Sequence, residues 1–391
     1  MEKIKVVFIS HDASRTGAPF VLLHLLRWLK ENTEIEFITI FKDPSGDLLP
    51  EFNKISKTYA YWNIYHNDYS IKARVKRKLK KIKQLFSVQT ISENEIIRFA
   101  PNIIYANTVV SCDIACEIHN FFPGKPKIIC HIHELEVAIN KYFGKKKFNQ
   151  VKHKIDYYIA VSNAVKDNLK INHKIEANKI YLVNAFITAI KNAQLIRPNN
   201  IKKDLGLKET DTLITGCGTI DWRKSPDLFI QVGAYVISRS ASQNIYFIWI
   251  GGEQNSIEFK HLSYDINNLQ LADRIKIIGT IKNPIDYLAN SDLFLMTSRE
   301  DPYPLVCLEA ASCAVPTICF ANAGGIPEFV EEDAGIVAPY LDIVSMGNAV
   351  LELINNPDKI RLLGNTAQKK VIRKHDVSTA GKEIAAILNT I

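Results

Sequence analysis

The chain has 391 residues, 47% hydrophobic and 23% charged, which suits two ordinary globular domains with sizeable cores. No apolar run reaches the roughly 18 residues of a membrane-spanning helix, and the apolar start Met1–Ser10 runs into His11-Asp12, so it reads as a buried strand rather than a cleaved leader. The net charge of +8 hides a polarity: residues 1–195 hold 30 Lys and Arg against 18 Asp and Glu (+12), the remainder 19 against 23 (−4), an asymmetry that points to a surface meeting anions.

Short β-branched runs alternate with helical segments, the pattern of parallel α/β sheets. The strands expected in the first half are Lys5–Ser10, Ile35–Thr39, Ile103–Tyr105, Lys127–His131, Tyr157–Val161 and Lys179–Val183. Those of the second half are Leu213–Cys217, Ile245–Ile250, Ile275–Ile278, Leu293–Thr297 and Pro316–Cys319. Helices are expected between them, as over Pro19–Lys30 and Pro226–Ser238. The mostly polar Lys191–Lys203 reads as a linker, so each half becomes a doubly wound domain with ligands at the C-terminal ends of its strands. The seven cysteines include no CxxC pair and are expected to be buried free thiols of a reducing compartment, not a zinc site.

The chemistry-bearing motifs follow the strands. Gly17-Ala18-Pro19 opens a helix after the first strand, where glycine admits a close backbone approach and the helix N-terminus attracts anions; a plain tight turn accounts for it equally. Residues 71–88, IKARVKRKLKKIKQLFSV, carry eight Lys and Arg and no acid, with apolar residues at helical spacing. Such a basic amphipathic helix suits an anionic membrane surface or simply solvent. Nucleic acid is not expected, because aromatic residues are sparse among the cations. In IICHIHELE, His131 and His133 follow a buried strand and precede a helix that Glu134 is placed to cap. An imidazole there can donate a hydrogen bond or fill the core. GCGTIDWRKSPDLF sets Arg223 and Lys224, a forked donor and a compact charge, beside a helix starting near Pro226, with Ser225 small enough to cap it.

The most informative stretch is SREDPYPLVCLEAASCAVPTICFANAGGIPE, residues 298–328. Two acids, Asp301 and Glu309, stand eight apart, the first in a loop at a strand end and the second inside the following helix. Backbone N–H groups of Tyr303, Leu305 and Val306 at that helix start can meet phosphate, and a carboxylate at Glu309 can accept from both hydroxyls of a ribose. The pair Gly324-Gly325 permits positive φ.

These motifs resemble the donor-binding signature of glycosyltransferase family 4, retaining nucleotide-sugar-dependent enzymes of the two-domain GT-B fold. The resemblance is strongest from Gly216 to Val337. It implies two Rossmann-like domains facing a cleft: residues 1–190 on the acceptor side, 191–375 binding the donor, and 376–391 as a helix packing back on the first domain. It also implies that His133 faces the reacting sugar and that Gly17 lies against donor phosphates. Arg223 and Lys224 would hold the leaving diphosphate, and backbone groups of Thr280, Ile281 and Lys282 would meet the base. Glu300 or Asp301 would contact the sugar, with Glu309 on the ribose. Two departures stand out: Ser225 where the family usually has Gly, and DPYP where Glu-Gly-Phe-Gly is commoner.

The implied activity is transfer of a hexosyl group, with retention, to a hydroxyl of a glycan or lipid-linked acceptor in bacterial-type surface polysaccharide synthesis. No cofactor beyond the donor is implied. No metal is expected either, because a D-x-D motif is absent and the two cations can neutralise the diphosphate. The expected location is cytoplasmic, peripheral at the inner membrane face where the basic helix docks. The alternative is a GT-B partner subunit that binds sugar nucleotide without transferring it.

Overall fold

The β-branched runs of the first half form strands β1 (Lys5–Ser10), β2 (Glu36–Phe41), β3 (Lys57–Ala60), β4 (Gln89–Thr90), β5 (Ile103–Asn107), β6 (Lys127–Ile132), β7 (Tyr157–Ala160) and β8 (Ile180–Leu182). They pair in the order β4-β3-β2-β1-β5-β6-β7-β8. The computed structural model describes residues 3–61, 88–122, 124, 126–189, 201–241 and 244–391. The basic stretch 71–88 lies outside them apart from Val88, as does the expected linker up to residue 200.

The chain divides into two units, Met1–Ala185 with Val377–Ile391, and Phe186–Asp376. The second holds β9 (Thr212–Cys217), β10 (Ile245–Ile250), β11 (Ile275–Ile277), β12 (Leu293–Met296), β13 (Thr317–Phe320) and β14 (Gly335–Ala338), ordered β11-β10-β9-β12-β13-β14. Every pairing in both sheets is parallel, for example Val6 with Phe37 and Ile103, and Thr215 with Ile248 and Phe294. Parallel sheets are covered on both faces, which is why Val6, Val7, Phe8 and Ile9 are all fully buried in succession.

Both units are Rossmann-like, and each has a topological switch point. In the first sheet β1 lies between β2 and β5; in the second, β9 lies between β10 and β12. Connections leave such neighbouring strands in opposite directions, so a crevice opens at their C-terminal ends. The loops after β1, β5 and β6 meet at one such edge, and those after β9 and β12 at the other.

Three strands were not expected from sequence: β3, β4 and β14. Two of them end their sheets, and β4 is two exposed residues long, too short to show alternation. In β14, Gly335 packs so close to β13 that a Cβ would stand 1.8 Å from the Thr317 oxygen. The expected linker is also shorter than the sequence suggests. Ile201–Asp204 is helical, and Lys202 is buried with its ammonium on the Asp211 carbonyl (2.7 Å) and the Asp292 carboxylate (3.1 Å).

The final helix, Val377–Thr390, packs in the first unit against helix Gly17–Asn32. Gly381 makes the approach possible: a Cβ there would fall 2.4 Å from the Trp28 indole.

Candidate functional site

In the second unit the two charged loops leave adjacent strands. β9 ends at Cys217 and leads into the turn carrying Arg223 and Lys224; β12 ends at Met296 and leads into the acidic loop. The backbones are joined directly. The Arg299 N–H donates to the Arg223 carbonyl (2.7 Å), and the Thr297 hydroxyl donates to the Ser225 carbonyl (3.0 Å). Lys224 thereby reaches Asp301, and its ammonium donates to that carboxylate. Their side chains are 16% and 7% exposed, so this pair is largely removed from solvent. The Arg223 guanidinium donates to the Glu300 carbonyl (3.3 Å), while its Nε is buried with no partner among the described residues.

The acidic loop is seated on the glycine turn. Asp301 N–H donates to the Ala323 carbonyl (2.7 Å), and Gly325 N–H donates to the Asp301 carbonyl (3.2 Å). Gly324 lies at φ +131°, where a Cβ would stand 1.7 Å from the Asp301 oxygen, so only glycine fits.

Helix Leu305–Ser312 begins two residues after Tyr303. The amides of Tyr303, Leu305 and Val306 donate to no acceptor among the described residues, whereas Cys307 N–H is bonded to the Pro304 carbonyl (3.1 Å). Free first-turn amides are the donors a phosphate uses. The Tyr303 side chain itself is buried, its hydroxyl 3.3 Å from His375 Nε2. Glu309 lies near the end of β9: burial first, and then the Glu309 carboxylate, push the Cys217 thiol up to about 12, while the Lys224 ammonium acts in the other direction.

The segment expected to meet a base is partly committed elsewhere. Thr280 N–H donates to the Gly252 carbonyl (3.0 Å), as does its hydroxyl (3.2 Å). Ile281 and Lys282 keep their amides free of acceptors among the described residues. Ser225 also differs from its expected role. It sits at φ +56°, ψ +54°, and its hydroxyl makes no helix cap but donates back to the Trp222 carbonyl (2.8 Å). The left-handed conformation turns the side chain away from the helix amides and explains why glycine suits this position.

In the first unit, His131 and His133 stand with ring centroids 4.1 Å apart at the end of β6. His131 is fully buried, its Nδ1 2.7 Å from the Tyr105 hydroxyl, and burial lowers it to about 3. His133 is held well below the ordinary histidine value by burial, then by His131 and His11. Its tautomer follows from Asn107, whose amide N–H donates to the Ala18 carbonyl (2.9 Å). The Asn107 oxygen must then accept, so the proton of neutral His133 sits on Nε2, 3.2 Å away. That leaves Nδ1 as an acceptor, the reverse of the donor role read from sequence. Glu134 stands just before the next helix, and its carboxylate accepts from His133 N–H (2.9 Å) and Val109 N–H (3.3 Å). Gly17 is the first helical residue, ahead of the expected start at Pro19, and has no positive φ, so it supplies space and a first-turn amide rather than an unusual turn.

Sequence reasoning singled out neither Asn107 nor Asp227. A buried polar residue ending an otherwise apolar strand was the available signal for the first; the second is one of many acids in helix first turns and carried none.

Two Rossmann-like domains of parallel strands, the second with paired cations and an acid at its switch point, define the GT-B architecture. Residues 198–370 match the family model of glycosyl transferases group 1, so this stretch is a domain of that family. The N-acetyl-alpha-D-glucosaminyl L-malate synthase of Bacillus anthracis is 26% identical over 172 residues, 44% of this chain and 43% of its own length. The GDP-mannose-dependent monoacylated alpha-(1-6)-phosphatidylinositol monomannoside mannosyltransferase of Corynebacterium glutamicum is 24% identical over 198 residues, 48% of this chain and 50% of its own. The chain thus spans about half the length of these curated relatives. Among solved structures, Anabaena Alr3699/HepE in complex with UDP and glucose superposes with a TM-score of 0.75 at 18% identity, covering 99% of this chain and 100% of that one. At that identity the likeness is one of fold.

Proposed function

We propose that this protein is a retaining, metal-independent glycosyltransferase of family 4. It would move a hexosyl group from a nucleotide-sugar donor to a hydroxyl of a glycan or lipid-linked acceptor, in synthesis of a surface polysaccharide. The observation that carries the reading is the Lys224–Asp301 pair beside Arg223 at the switch point of the second sheet.

An ammonium has three donors, and Asp301 takes one, leaving two for diphosphate oxygens. Arg223 adds a forked cation. Departure of a nucleoside diphosphate puts negative charge on the bridging oxygen, and cations already fixed by the fold stabilise it without reorganising. First-turn amides of Leu305 and Val306 extend the anion site, and Glu309 accepts from the ribose hydroxyls. Asp301, tied to an ammonium, serves better as an acceptor for sugar hydroxyls than as a nucleophile. The acceptor then attacks the face that the diphosphate leaves, and a donor phosphate oxygen takes its proton. The amides of Ile281 and Lys282 are assigned to the base, and His133 and Gly17 of the first unit to the sugar and phosphates.

A lipid-linked acceptor is supported by the name of the Corynebacterium relative and by the basic stretch 71–88. Both support a position at the cytoplasmic face of a membrane. Among the described residues no helix is long and apolar enough to cross one.

The test is a thermal-shift panel of nucleoside diphosphates and their sugars, without metal, followed by assay of diphosphate release. Stabilisation by one nucleotide and its sugars, with turnover, is expected. Binding without turnover would instead identify a partner subunit, and no shift from any nucleotide would remove the donor site.

A further inference from the structure

We infer that Arg299 and Asp227 form a positioning clamp that holds the Arg223–Lys224–Ser225 turn against the acidic loop. The clamp takes the place of the backbone freedom a glycine would give at position 225. This rests on the reading of Arg223 and Lys224 as diphosphate ligands.

The geometry is that of a fork closing on a carboxylate. Arg299 Nη1 and Nη2 donate to the two oxygens of Asp227 at 3.0 and 2.8 Å, and Asp227 stands in the first turn of helix Pro226–Arg239. The same Nη1 donates to the Ser225 hydroxyl (2.9 Å) and to the Trp222 carbonyl (3.3 Å), and the guanidinium lies 5.8 Å from the Trp222 ring centroid. Its own backbone N–H takes the Arg223 carbonyl at 2.7 Å, and its carbonyl accepts from the Tyr340 hydroxyl (3.1 Å). One residue therefore grips the cation turn at positions 222, 223 and 225 while standing two residues before Asp301.

Two consequences follow. A serine in the left-handed region gains from an outside anchor, because non-glycine residues disfavour that conformation. Arg299 also neutralises an acid next to the turn. Without it, the Asp227 carboxylate would stand unpaired near the cations and repel a diphosphate.

The experiment measures UDP and GDP affinity calorimetrically for wild type, Arg299→Lys, Arg299→Ala, Asp227→Asn and the double variant Arg299→Ala with Ser225→Gly. Arg299→Lys keeps the charge but loses the fork, and is expected to weaken binding about tenfold, in line with a small misplacement of binding groups. Ser225→Gly is expected to restore part of the affinity lost by Arg299→Ala, since glycine holds the left-handed turn unaided. A general loss of stability would not produce that rescue. Should Arg299→Ala fail to fold, Arg299→Lys and Asp227→Asn decide. Lowered melting temperature with unchanged affinity overturns the clamp, as does absence of rescue. If wild type binds neither nucleotide, the diphosphate reading falls and the clamp with it.

Discussion

Lys224 and Asp301 are 77 residues apart in sequence, yet the Lys224 ammonium donates to the Asp301 carboxylate in a setting that leaves Asp301 7% exposed. The contact exists because β9 and β12 are neighbours, with Leu293 paired to Ile214 and Phe294 to Thr215. Adjacent parallel strands deliver their C-terminal loops to the same edge.

Removing one partner of this pair exposes the cost of burying the other. Lys224→Ala is expected to lower turnover about 10²-fold or more and to destabilise the fold by about 3 kcal/mol. The double variant Lys224→Met with Asp301→Leu should recover most of that stability and none of the activity. Urea melts beside diphosphate-release rates make the check. Glu309→Ala should cost about 10²-fold in rate through loss of donor positioning.

Gly324→Ala forces a methyl into the Asp301 carbonyl and holds alanine at φ +131°. The loop must move, so the expected penalty is on the order of 3 kcal/mol together with loss of nucleotide affinity. An unchanged melting temperature would contradict the seating of Asp301 on the glycine turn.

Stability should fall on mild acidification. His131 sits at about 3 against an ordinary value of 6.5, and His133 is also lowered. The unfolded chain therefore binds protons that the native state refuses, and stability drops as pH falls from about 6.5 toward 3. Denaturant melts between pH 7 and 5 are expected to show this slope. His131→Gln, which does not titrate, should flatten it by about 1.4 kcal/mol per pH unit.

The basic stretch predicts an electrostatic membrane contact. Neutralising Lys76, Arg77, Lys80 and Lys81 should weaken sedimentation with anionic vesicles, by about 1 kcal/mol per charge removed, while sparing nucleotide binding. Equal vesicle binding by the variant would leave the stretch as a solvated surface.

Much of this was legible in the chain itself. The β-branched runs placed eleven of the fourteen strands among the described residues, because burial on both faces leaves a continuous apolar signal. Arg223, Lys224 and Asp301 stood out as charged residues in the loops that follow such runs, and Glu309 by standing eight residues past Asp301. The short strands β3, β4 and β14 escaped, since segments of two to four residues carry little pattern, and two of them end their sheets.

What the sequence determined alone was the alternation of strand and helix and the identity of the charged groups after β9 and β12. Tertiary structure decided what each group faces. It put Lys224 on Asp301, spent the Thr280 amide on Gly252, brought the Glu134 carboxylate to the His133 and Val109 amides, and set the proton of His133 through Asn107. The physical reason is range. Burial patterning is written residue by residue, whereas a hydrogen bond between loops depends on which strands lie side by side, and no local run of sequence encodes that neighbour.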